Sequence, residues 1–89
     1  MMFVNEKRIP TTRAEIYASN LDAAITEIGM TRKALVAALN DLGYPVSEQA
    51  VGKWMRGESA PSPTHQAAIG AVLRIPAHLI FPIILEAAA

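Results

Sequence analysis

The chain has 89 residues, no cysteine, and eight basic residues balanced by eight acidic ones. That length supports one small core with little stability to spare, and the missing cysteine excludes a disulfide framework and a thiolate metal site. The neutral balance excludes a global electrostatic pull toward polyanions, which counts against a strong non-specific nucleic-acid binder.

Residues 1–10 read as an extended leader without the apolar stretch of a signal peptide. Phe3 and Val4 would add an edge strand or cover a dimer seam, and Lys7 and Arg8 would reach a phosphate backbone as an arm; a frayed terminus is the plainer alternative. Thr12-Arg13-Ala14-Glu15 is a capping box with Pro10 upstream, and it opens a first helix. Tyr17, Leu21, Ala24, Ile25 and Ile28 form its apolar stripe, and Gly29 ends it.

Thr31 caps a second helix whose inner face is Leu35, Val36, Leu39 and Leu42, with Gly43 as the stop. Arg32 and Lys33 sit at its start, where cations oppose the helix dipole. The small cost makes sense if they face phosphates; otherwise they are ordinary solvated residues.

A third, short helix begins at the N-cap Ser47, carries Glu48 and Gln49 in its first turn and stops at Gly57. Ala50, Val51, Trp54 and Met55 form its inward stripe, while Glu48, Gln49, Gly52, Lys53 and Arg56 are expected to point outward together. A helix this short must be held by its neighbours. Glycine costs up to about 1 kcal/mol in a helix interior, so Gly52 is either tolerated or keeps a close approach open.

Ser62-Pro63 starts a fourth helix running through Ala67, Ala68, Ile69, Val72 and Leu73. Ile75-Pro76 opens a last short one with Leu79, Ile80 and Phe81, ended by Pro82. The apolar run at residues 75–85 is too short to cross a bilayer and contains Pro76, His78 and Pro82. Ile83, Ile84 and Leu85 in succession near a terminus either finish the core or, with Phe81, pair with another chain; dimerisation is the preferred expectation. The terminal alanines look like the tags bacterial proteases recognise, or form a plain tail. His65 and His78 fall on different expected helices without a carboxylate pair beside them, so neither an enzyme nor a metal site is expected.

Val46-Ser47, Val51, Trp54, Gly57 and Pro61 together resemble the second half of the helix-turn-helix in the lambda-repressor-like family, the Cro and phage-repressor or Xre type. That family's pattern is roughly V-S-x-x-x-V-x-x-W-x-x-G-x-x-x-P. The resemblance continues to Ile75-Pro76 and Leu79-Ile80-Phe81 and covers residues 13 to 82. It implies an all-α, five-helix DNA-binding domain at 11–82, between the leader and a tail at 83–89, with Leu35, Leu39, Val51 and Trp54 as the core of the motif.

The third helix would then be the recognition helix. Gln49 is the first candidate for reading a base, because its amide pairs bidentately with adenine in the major groove. Lys53 would meet guanine or a phosphate, Glu48 would accept from cytosine, and Gly52 would lie on the same reading face. Arg32, Lys33, Ser47, Arg56, Ser62 and Thr64 would hold the DNA backbone. One departure from the pattern stands out: the chain carries about five residues more than the usual tight turn allows between the motif helices, to be absorbed by a longer first helix and a wider Tyr44-Pro45 turn.

The function these readings imply is sequence-specific double-stranded DNA binding as a homodimer, by a cytoplasmic, nucleoid-associated phage Cro-like or immunity repressor that acts by operator occupancy. It would need no cofactor, metal or small-molecule ligand, and no membrane. The alternative is a protein-interaction module of the same fold, an antitoxin or adaptor.

Overall fold

A computed structural model of the chain describes residues 12–84. The expectations for Phe3, Val4, Lys7 and Arg8 and for the tail from Leu85 onward lie outside the described residues. Within them the chain is all-helical: α1 (Arg13–Ile28), α2 (Arg32–Asp41), α3 (Glu48–Met55), α4 (Pro63–Leu73) and α5 (Ala77–Ile80).

Local chemistry sets the helix starts. Thr12 Oγ1 accepts from the Glu15 amide at 3.1 Å while Glu15 Oε1 accepts from the Thr12 amide at 3.2 Å, closing the expected capping box. Thr31, Ser47 and Ser62 accept in the same way from the third amide of their helices.

The stops of α1, α2 and α3 share one geometry. After α1 the Met30 amide reaches back to the Ile25 carbonyl (2.8 Å) and Gly29 to Thr26 (3.1 Å), the paired bonds of a Schellman turn. The same pair recurs around Gly43 and Gly57. After α4 the left-handed position falls instead on Arg74, at φ 60°.

The core is drawn from every helix, with Leu21, Leu35, Leu39, Val51 and Ile69 fully buried and Tyr17, Ile25, Trp54, Leu73, Ile80 and Phe81 beside them. Two expected core positions turn outward. Ile28 is 46% exposed because it is the last residue of α1, and the chain turning at Gly29 brings Met30 against the core instead. Leu42, 48% exposed, is the C-cap of α2, and Val46 takes the inward place after the turn. On α4 the buried face is Ala68, Ile69, Gly70 and Leu73, which leaves Ala67 exposed. At Gly70 a methyl would lie 2.9 Å from the Ile75 carbonyl oxygen and 3.1 Å from Ala77 Cα, so the missing side chain lets the chain after α4 fold back closely.

That return is bolted to α1. Tyr17 donates its hydroxyl to the Pro82 carbonyl at 2.8 Å, Asn20 Nδ2 donates to the Ile80 carbonyl at 2.9 Å, and the Tyr17 and Phe81 rings meet edge to face at 5.2 Å. Phe81 therefore finishes its own chain's core at 5% exposure, which corrects its expected place on a dimer surface. Ile84 also packs against the core. Ile83, 88% exposed, is left outside with Leu79 at 61%. Among the described residues no helix is long and apolar enough to cross a membrane.

Candidate nucleic-acid interface

α3 lies between α1 and α2, which hold it from behind. Its amphipathic pattern decides what faces them: Val51 is wholly buried and Trp54 is 7% exposed. Ala50 and Met55 are half-buried, while Glu48, Gln49, Lys53 and Arg56 are exposed. Eight residues would not hold a helix in water, so this packing is what makes α3 a fixed platform.

The connection between α2 and α3 runs through residues 42–47 and is secured by Asn40, to which the sequence assigned no role. Asn40 Nδ2 donates to the Val36 carbonyl within α2 (2.8 Å) and to the Val46 carbonyl before α3 (3.2 Å), tying the two ends of the connection together. Asparagine is a weak helix former, so its place in the last turn of α2 was the available signal. On the other side of the connection the His65 ring packs against Tyr44 (6.4 Å between centroids) and Trp54 (5.6 Å). His65 is thus half-buried rather than free on the surface, its Nδ1 3.0 Å from Ser62 Oγ and its Nε2 without a partner. His78 stays exposed on α5.

Gly52 is the clearest correction at the site. It is buried, because the guanidinium groups of Arg56 and Arg32 cover it: a methyl there would lie 3.1 Å from Arg56 Nη1 and 3.4 Å from Arg32 Nη1. Gly52 accordingly does not present itself as a reading position. It is the floor of a shallow cleft of about 200 Å³ walled by Arg32, Glu48, Gln49 and Arg56. The start of α2 and the exposed face of α3, separate in sequence, become one surface here.

The other expected residues are distributed around it. Arg56 donates Nε to Glu58 Oε2 at 2.8 Å and Nη2 to Oε1 at 3.4 Å, a pairing with an acid that carried no expected role. Glu58 sits two residues past Arg56 across the Gly57 turn, and only that turn brings them together. The Arg56 hydrogen bond holds the Glu58 carboxyl below its ordinary pKa, with Lys53 adding a smaller push in the same direction; Arg56 is raised in turn. Lys33 is exposed beside Arg32. Ser47 Oγ is occupied as the α3 cap, accepting from Ala50 at 3.0 Å. Ser62 Oγ accepts from the His65 amide at 3.2 Å, and Thr64 is exposed at the start of α4; neither lines the cleft.

Chemically the start of α2 and the exposed face of α3 offer an amide, an ammonium, two guanidinium groups and a carboxylate, backed by the core. That set makes hydrogen bonds to flat polar edges and to anionic oxygens. No family model, curated protein or solved structure matches the chain.

Proposed function

We propose that the chain is a sequence-specific double-stranded DNA-binding regulator of the lambda-repressor-like helix-turn-helix type, with α2 and α3 as the motif helices and α3 as the recognition helix. The observation that carries this reading is the convergence of Arg32, from the start of α2, on the exposed face of α3 beside Gln49 and Arg56. A helix in the major groove needs side chains aimed at base edges together with cations placed for the flanking phosphates. In this role Gln49 and Lys53 read bases, Glu48 accepts from cytosine, and Arg32, Lys33 and Arg56 hold phosphates. The action is operator occupancy by a homodimer, as in a phage Cro-like or immunity repressor.

Selection from a randomised duplex pool with the purified chain tests this, repeated with Gln49→Ala and Lys53→Ala. An enriched palindrome whose preferred bases change in the variants is the expected result. Absence of enrichment at every salt concentration would sink operator binding and favour a protein partner for the same face, a reading that the exposed Glu48 and the neutral net charge support.

A further inference from the structure

The two arginines that cover Gly52 come from different helices and approach the same point with the same atom. Glu58 occupies the Nε and Nη2 edge of Arg56. What remains is Nη1 with one N–H of Nη2, and it is Nη1 that lies over Gly52, where Nη1 of Arg32 also arrives. Arg32 makes no ion pair among the described residues. A side chain at residue 52 would press on both, and its absence leaves the point they share open.

We propose that Arg32 and Arg56 form, over the bare backbone of Gly52, a single two-arginine seat for one phosphodiester oxygen of the duplex, with Glu58 as the positioning group that steadies Arg56. The inference rests on the DNA-binding reading and specifies it: the two cations share one phosphate rather than holding two. Glu48 lines the same cleft and Glu58 offsets Arg56, so the local charge is balanced. The seat is therefore selective for a phosphate delivered by a docked duplex, where geometry supplies what net charge does not. The shared position also fixes register, since one phosphate tied to both motif helices sets how deep α3 sits in the groove.

The test is salt-dependent binding of a mixed-sequence duplex by the wild-type chain, Arg32→Gln, Arg56→Gln, the double variant and Gly52→Ala. For one shared phosphate, the slope of log affinity against log salt falls by about one in the double variant, and the two single losses are non-additive. A fall of about two, with additive losses, would overturn the shared seat while leaving DNA binding intact. Gly52→Ala is expected to raise Tm, because alanine favours the helix and only the ends of two flexible side chains must move, yet to weaken duplex binding about ten-fold through a lost charge-assisted contact. Unchanged affinity in Gly52→Ala would also overturn the seat. Failure of the wild-type chain to bind duplex even at low salt would remove both the seat and the DNA-binding reading.

Discussion

At the scale of single residues, the positions that matter most are those where a side chain is missing or misplaced by ordinary preference. Arg74 adopts φ 60° at the end of α4, the left-handed position that glycine holds after α1, α2 and α3. A Cβ in the left-handed region costs roughly 1–2 kcal/mol, part of which glycine gives back through its freer unfolded chain. Arg74→Gly is expected to stabilise the fold by roughly 0.5–1 kcal/mol, seen as a higher Tm, while Arg74→Ala, which keeps the Cβ, gains nothing comparable. An equal gain from both would point to the charge of Arg74 rather than its backbone. Gly52 illustrates the opposite limit: its departure from helix preference was visible in the sequence, but not that arginines from two helices would close over it.

At the scale of elements, α3 depends on its cap and on its inward pair. Ser47 Oγ satisfies the Ala50 amide, and Val51 and Trp54 bury the stripe that holds the helix to α1 and α2. Ser47→Ala is expected to cost about 1 kcal/mol, and Ser47→Gly only a few tenths. For a domain of this size 1 kcal/mol corresponds to about 4–8 °C in Tm, well within the reach of a thermal melt. If the alanine and glycine variants melt together with the wild type, the cap contributes nothing and α3 is held by packing alone. α5 shows the converse case. It has no side-chain cap, and its place is set by Tyr17 and Asn20 donating to carbonyls at its end. Long-range bonds of this kind leave no local pattern, which is why, taken in chain order, Phe81 and Ile84 suit a dimer surface as well as the core.

At the scale of the whole molecule, the proposed homodimer can be tested on the apolar surface left exposed. Leu79 and Ile83 are exposed, and Leu79 borders a groove of about 330 Å³ that includes Ala23, Ala24 and Ile75. If the chain dimerises through this surface, joint Leu79→Asp and Ile83→Asp substitution should leave Tm nearly unchanged and yield a monomer by sedimentation equilibrium. Phe81→Asp should instead unfold the chain, since it buries an unpaired charge in the core. A double variant that sediments as the wild type does would place any dimer contact elsewhere.

The sequence by itself determined the helices, their boundaries and most of the core, because caps, Schellman glycines and apolar periodicity act over a few residues and are written locally. Thr12, Thr31, Ser47 and Ser62 start helices where the pattern expects them, and Gly29, Gly43 and Gly57 mark the ends. Only the tertiary structure decided which ends of each stripe face inward, that Phe81 belongs to α1 rather than to a partner, and that Arg32 and Arg56 meet over Gly52. Those outcomes depend on the angle at which one helix crosses another. That angle follows from packing volumes across the whole core, and no short stretch of chain encodes it.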